Sequence, residues 1–573
     1  MSTLKAFARD AARRYLQSAV FVDDEIFDKH SGMPVETADL PKSRKPIFRR
    51  TASKGTIQTA EQKKSDATAV EQPYHPKDLV SSFAQEGIIC ALYEPPKDFP
   101  TNPDSEIFKL CERTDIIILD WDFSGDRGKK ALDLIAVLVK QSHQEFPHHT
   151  RLLSIYTADP SLVAVANQIG DRLRAEGFPA LPEQSQCRLR SGATRLLVFG
   201  KDIPRIGADE EQFTLKEKQL ANRLVEEFAD MNSGILPSYA LHAMAAVRHN
   251  SKRILDRFHG EMDAAFLLHR AMVIDNEEAL EQLPELLSEE LLAVIEEEHT
   301  TVAGIRKCFN KLASQFEIGP PKRPWCDKNG KPMDASDSLR NLLKSGVGGL
   351  TDKNQEIKQI ANLAKKGWRG VDAQTIQDLQ LMVDPNKTES NQRLASLFAS
   401  RTQYNNKIRH LCYGTIVRHR ESKGKNAPWV YSFCFMPICD SVRLQLTKQF
   451  KHGDPVSFPF WRLREDVYAG STENRRGIVL ELFDKTHVEL SAGGKPRDML
   501  WDASFNVNKT TGTVTASRKR DGGFTFVTND KLRVAWVGQL KPLHSQRIAY
   551  DIGQSLSRVG LVEAEWLRLL CDR

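Results

Sequence analysis

Four short apolar runs in this chain each close on a charged or hydroxyl residue. They are Ala19-Val20-Phe21-Val22 into Asp23-Asp24, Asp115-Ile116-Ile117-Ile118-Leu119 into Asp120, Leu152-Leu153-Ser154-Ile155-Tyr156 into Thr157, and Arg195-Leu196-Leu197-Val198-Phe199-Gly200 into Lys201. Runs this short and this continuously apolar read as strands buried on both faces. Between them lie stretches of helical period, over residues 77–85 and 129–141, with an opening helix at 4–16 and a further strand at 87–93. Strand alternating with helix implies a parallel sheet with helices on both faces. In such sheets ligands collect at the carboxyl edge. The acid pair, the lone Asp, the Thr and the Lys all fall at that edge.

The rest of the chain has a different texture. Residues 28–76 are polar, rich in Lys, Ser, Thr and Pro, and without periodicity, which reads as a flexible insertion. Residues 211–315 are helical in period, residues 316–350 are rich in Gly, Pro and Lys like a linker, and 354–401 are helical again. From 408 the pattern turns to β, with candidate strands at 410–417, 429–436, 455–462, 477–483, 487–490, 524–527 and 532–537, and a closing helix at 544–570. The expected domains are 1–205 (insertion 28–76), a helical domain 206–320, a linker and helical segment 321–405, and a β-rich α+β module 406–573.

Composition narrows the class of protein. The 573 residues are 40% hydrophobic and 27% charged, and no run approaches the ~20 apolar residues that span a bilayer. The first residues lack the apolar core of a secretory signal. Nine cysteines without a CxxC pair indicate neither a disulfide framework nor a zinc ribbon. A cytoplasmic protein with no membrane partner is expected. The net charge of +6 is small for this length, but its distribution is uneven. Residues 29–66 hold nine basic residues against four acids, while 276–298 hold nine Glu and no Lys or Arg. The basic run has only Phe48 to stack on bases, so it supports nucleic-acid contact weakly. The Glu-rich helix reads as an exposed acidic face, with Leu280, Leu283, Leu286, Leu287, Leu291 and Ile295 packing inward.

A carboxylate accepts a phosphoryl group where its own charge and that of the incoming group are neutralised. Magnesium does this through oxygen ligands, and Asp23-Asp24 beside Asp120 supply such a pocket. Three carboxylates so close repel one another without a cation. Lys201 can pair with Asp120 and then with the phosphoryl. The hydroxyl of Thr157 can donate to a phosphoryl oxygen, and its reorientation can report the modification. Any one of these residues alone is more often a cap or turn residue.

Taken together the set resembles the receiver domain of two-component response regulators. The matched stretches are Phe21-Val22-Asp23-Asp24-Glu25, Asp115 to Asp120 with Trp121-Asp122, Ile155-Tyr156-Thr157-Ala158 and Val198-Phe199-Gly200-Lys201, within about residues 1–205. The resemblance implies a flavodoxin-like α/β fold with a five-stranded parallel sheet. It implies Asp120 as phosphoacceptor, and Asp23 and Asp24 as Mg2+ ligands or orienters. Asp120 itself and the backbone carbonyl of Asp122 complete the implied metal set. Thr157 and Lys201 become switch and phosphate contacts, and a sensor histidine kinase the partner.

The sequence departs from that family in places. The intervals from Asp24 to Asp120 and from Thr157 to Lys201 are long, and Lys201 is followed by Asp202 where the family has a cis Pro, with Pro204 later. Val198 stands at the aromatic switch position, beside Phe199. Asp122 and Asp159 occupy the positions that tune phosphoryl lifetime. Residues 206–573 show no helix-turn-helix, cyclase or phosphohydrolase pattern. The insertion and C-terminal module look like those of atypical receivers in bacterial conflict and phage-defence systems. Phosphorylation is expected to change how the remainder docks or forms a homodimer. The alternatives are an effector hydrolase or nuclease, for which Cys439-Asp440 is the candidate, or nucleic-acid recognition. Cys434 with Cys439 could pair on a metal, but core packing is favoured. His242, His249, His259 and His269 lack the HExxH pattern and read as ordinary helix histidines.

Overall fold

The computed structural model describes residues 3–26, 76–123, 125–144, 149–203, 205, 207–272, 276–301, 303–315, 317–321, 323–349, 357–366, 373–383, 388–404, 409–421, 427–437, 455–465, 477–493, 496–508, 512–519 and 522–557. The insertion with its basic run, Pro204, Cys439, Asp440 and the closing helix beyond residue 557 lie outside the described residues. Two compact units are present: Met1–Arg257 with Glu290–Val302, and Phe258–Glu289 with Ala303–Arg573.

The first unit opens with α1 (Thr3–Tyr15), which buries Phe7, Ala8, Ala11 and Ala12 on one face. It continues through β1 (Ser18–Val22), α2 (Pro76–Gln85), β2 (Ile89–Tyr93), α3 (Glu106–Arg113), β3 (Ile116–Leu119), α4 (Lys129–Gln144), β4 (Arg151–Thr157) and α5 (Leu162–Ala175). Next come β5 (Leu181–Pro182), β6 (Arg188–Ser191), β7 (Thr194–Gly200), α6 (Ala208–Gln212), α7 (Glu217–Met231) and α8 (Ile235–Leu255). Strands β3, β4 and β7 are buried at every residue, as central parallel strands covered on both faces must be.

Strand order is β2-β1-β3-β4-β7-β6-β5. The five strands from β2 to β7 run parallel, and β6 and β5 join antiparallel at the β7 edge. The sheet therefore has seven strands instead of the five expected. The reason is the long interval from Thr157 to Lys201, which holds α5 and then an added β5–β6 hairpin whose turn to β7 places Gly192 at φ 59°. The core continues past β7: Phe213 and, on α7, Leu220, Leu224, Val225 and Phe228 are buried with the strand residues.

The second unit begins with α9 (Asp263–Met272), α10 (Asn276–Thr301, residues 290–301 counted in the first unit), α11 (Ala303–Gln315), α12 (Ser336–Ser345), α13 (Lys358–Lys366), α14 (Ala373–Val383) and α15 (Thr388–Ala399). The inward packing expected of the Glu-rich helix holds only in part. On α10, Leu280, Leu283, Leu286 and Leu287 are 39–52% exposed, while Leu291 and Ile295 are half-buried. The correction has a physical source: helical period shows that a face is apolar, not that a surface exists to cover it. Part of the stretch read as a linker carries a core of its own, in which Trp325, Leu339, Ile357, Ile360 and Leu363 are buried together.

The β-rich part comprises β8 (Thr415–Arg420), β9 (Trp429–Cys434), β10 (Val456–Glu465), β11 (Ile478–Glu481), β12 (His487–Ser491), α16 (Pro496–Met499), β13 (Leu500–Phe505), β14 (Ser517–Arg518), β15 (Phe524–Val527), β16 (Arg533–Gln539) and α17 (Pro542–Ser557). The nine strands form one antiparallel sheet, β11-β12-β10-β9-β8-β16-β15-β14, with β13 paired to β10. Alternation divides its side chains between two cores. One holds Ile416, Phe433, Trp461 and Leu480, the other Val417, Cys434, Phe458, Phe505 and Phe526. The Cys434 thiol is wholly buried, which pushes its pKa up and keeps it protonated. Among the described residues, no helix is long and apolar enough to cross a membrane.

Candidate functional site

Register decides which strand-end residues meet. Val22 of β1 pairs with Leu119 of β3, so Asp23 and Asp120 leave the sheet side by side. The amide of Asp120 donates to the carbonyl of Val22 at 2.8 Å, and that of Asp23 to the carbonyl of Tyr93 at 3.3 Å. On the other side Thr157 of β4 pairs with Gly200 of β7, and the Lys201 amide donates to the Thr157 carbonyl at 2.8 Å. The chain order reverses between β1 and β3, with β2 on one side and β3 on the other, which opens a crevice above these ends.

In that crevice a carboxylate oxygen from each of Asp23, Asp24 and Asp120 lies within 4.8 Å of the others. Lys201 Nζ bridges two of them, 3.3 Å from Asp120 Oδ1 and 3.4 Å from Asp23 Oδ2. Asp23 also accepts the amide of Glu25 at 2.9 Å, which turns the chain after β1. Burial pushes the Asp120 carboxyl up to about 7; Lys201 pulls it back and Asp23 pushes it further. Burial works against the charged Lys201 ammonium, but Asp120 and Asp23 outweigh it and hold its pKa above the ordinary value. Three hard oxygen donors this close, with one cation to neutralise them, fit a magnesium ion.

The remaining expected residues are placed as follows. Thr157 is buried at the end of β4, and its Oγ1 accepts the amide of Asp159 at 3.0 Å, which leaves its own proton free to donate. The Asp122 side chain turns away into the β3–α4 loop and accepts the Arg127 amide at 2.9 Å. Asp126, which sequence reasoning passed over, orders the same loop by accepting the amides of Phe123, Gly128 and Lys130 at 3.2, 3.0 and 2.8 Å. Asp159 is likewise taken up in its turn, accepting the Ser161 amide at 2.9 Å. Val198 and Phe199 are both fully buried, Phe199 stacked on Phe213 at 5.5 Å, so neither forms an exposed aromatic beside the site. Among the histidines, His242 is buried against Phe7 at 4.8 Å, and His269 is exposed and bonds Gln282 at 3.0 Å.

The floor of the β3–α4 loop is Trp121, 3% exposed, over which Gly128 passes at φ 87°. A Cβ at Gly128 would lie 2.3 Å from the indole. Gly128→Ala should therefore destabilise the unit by about 2–3 kcal/mol, the left-handed backbone and the overpacking both contributing. Denaturant unfolding checks this, and a loss below about 0.5 kcal/mol would show that the loop relaxes freely.

Parallel strands in the order β2-β1-β3-β4-β7, with an acidic trio and a lysine gathered at their carboxyl edge, define a receiver-type domain. Residues 15–204, about a third of the chain, match the family model described as Response receiver domain. This segment is a receiver domain of atypical form. No curated protein and no solved structure gives a significant match.

Proposed function

We propose that the receiver accepts a phosphoryl group on Asp120 from a phosphohistidine of a sensor histidine kinase and so controls the remainder of the chain. The observation that carries this reading is the Asp23, Asp24 and Asp120 cluster with Lys201 bridging two of its members. One Oδ of Asp120 attacks phosphorus, and the O–P bond forms as the P–N bond to imidazole breaks. The electron pair stays on the imidazole nitrogen, which takes a proton from solvent. Lys201, freed from Asp120 as that charge passes to the phosphoryl, follows the new oxygens. Thr157 donates its hydroxyl proton to one of them. Magnesium held by Asp23, Asp24, Asp120 and the Asp122 carbonyl would neutralise the charge on the transferring group.

The output reading is a changed docking or homodimerisation of the helical and β-rich segments, in a cytoplasmic protein. The test is incubation of the full chain with acetyl phosphate and magnesium chloride, followed by intact mass. Wild type should gain one acid-labile phosphoryl group, and Asp120→Asn none. The reading is overturned if neither acetyl phosphate nor a cognate kinase yields an adduct on wild type.

A further inference from the structure

The segment between β7 and α7 reaches back over the site. Arg205 donates from Nη2 to the Thr157 carbonyl at 3.1 Å and from Nη1 to the Asp159 carbonyl. Glu210, 7% exposed on α6, accepts the Ser161 hydroxyl and the Val163 amide, both at 3.1 Å. The β4–α5 loop is thus gripped from outside at both ends. Within it the Asp159 amide closes on Thr157 Oγ1 and the Ser161 amide on Asp159 Oδ1. Gly200 leaves the room this requires, since a Cβ there would lie 2.4 Å from Arg205 Nε and 2.6 Å from its Cζ and Nη2. A planar guanidinium can hold two carbonyls at once, where a lysine ammonium acts as a single point charge.

The same loop decides where the Thr157 hydroxyl proton points, because its oxygen is already engaged by the Asp159 amide. We propose that Arg205, with Glu210 at the far end of the loop, is a positioning residue that aims Thr157 at the phosphoryl group on Asp120. This rests on the reading of Asp120 as phosphoacceptor. It is separable from the metal site, whose ligands come from the ends of β1 and β3, strands that Arg205 does not touch through any of these bonds.

The full chain is tested with acetyl phosphate and magnesium chloride, following the rate of phosphoryl uptake, with magnesium affinity measured separately by calorimetric titration. Arg205→Ala should slow uptake about 10- to 100-fold, as small misplacements of a transition-state donor do, with magnesium affinity unchanged. Gly200→Ala should reproduce this, since its methyl displaces the flexible guanidinium end without removing it, and it keeps the test available if Arg205→Ala does not fold. Thr157→Ala with Arg205→Ala should be no slower than Thr157→Ala alone, because one residue acts through the other. Unchanged uptake in Arg205→Ala and Gly200→Ala, full additivity with Thr157→Ala, or a parallel loss of magnesium affinity would overturn the assignment. Absence of uptake in wild type would instead overturn the phosphoacceptor reading itself, before any variant is compared.

Discussion

Glu227→Ala will cost the receiver-bearing unit about 3–5 kcal/mol, the penalty of leaving buried charge without its partner. Glu227 sits on α7 at 2% exposure, and its carboxylate takes Arg188 at 2.6 Å, Arg223 at 3.0 Å and Arg195 at 3.5 Å. Arg195, on β7, is 5% exposed and is also held by Glu183 and Asp230, both at 3.0 Å. The network ties α7 to β6 and β7, so its loss loosens the sheet edge that presents Lys201. Removing the carboxylate takes from Arg188, 13% exposed, its acid partner; Arg195 keeps Glu183 and Asp230, and Arg223 is exposed enough to regain water. Glu227→Gln keeps the shape without the charge and should fall between. Denaturant unfolding of the full chain, with the transition assigned by amide exchange in β4 and β7, measures this. A loss under about 1 kcal/mol would show that Glu183 and Asp230 compensate.

Asp120 gives the second large effect, through pH. Its carboxyl is held near 7 by burial, against about 3.9 in an unfolded chain. A raised folded pKa means that the folded state binds the proton more tightly than the unfolded state. The stability this contributes is full below about pH 4 and is lost as pH rises through about 7. In the absence of divalent metal the protein should therefore lose roughly 2–4 kcal/mol across that window from this group alone, relative to Asp120→Asn, which cannot ionise. Thermal melts in chelator at pH 5 and pH 8 test the difference: the gain of the Asn variant over wild type should be clearly larger at pH 8 than at pH 5. Added magnesium should then raise the wild-type melting temperature at pH 8 and leave the Asn variant nearly unmoved, since a ligand stabilises only the state it binds. Equal shifts of both proteins with pH would place the titration elsewhere.

How far the site was legible depends on the range of the interactions that make it. Asp120 could be placed at a strand end because four buried residues before it are all β-branched or Leu, and Thr157 and Lys201 follow from equally plain runs. Arg205 and Glu210 left no such trace. A lone Arg after Pro204 and a Glu in a five-residue helix have no period or motif, and their meaning comes from carbonyls and a cap more than 40 residues away. The same holds for Glu227, which in sequence is one more acid in an amphipathic helix. In the second unit β13 escaped notice although Trp501, Ala503 and Phe505 alternate, because Asp502 interrupts the apolar impression on the other face. The inward packing of Leu280, Leu283, Leu286 and Leu287 failed in the opposite sense, with a clear period and, among the described residues, no surface that buries them.

The amino-acid sequence alone determined that there is a parallel sheet and which polar residues stand at its carboxyl edge. Strand length and helix period are local properties, written in consecutive side chains and unaffected by what packs against them. Only the tertiary structure decided that Val22 stands beside Leu119 and Thr157 beside Gly200, and hence that three carboxylates and one ammonium share a crevice. It alone added the two edge strands, drew α7 into the core, and set Arg205 on the carbonyls of the Thr157 loop. Register and buried ion pairs join residues tens to more than a hundred positions apart, and their partners are chosen by the complementary packing of whole elements, which no local pattern records.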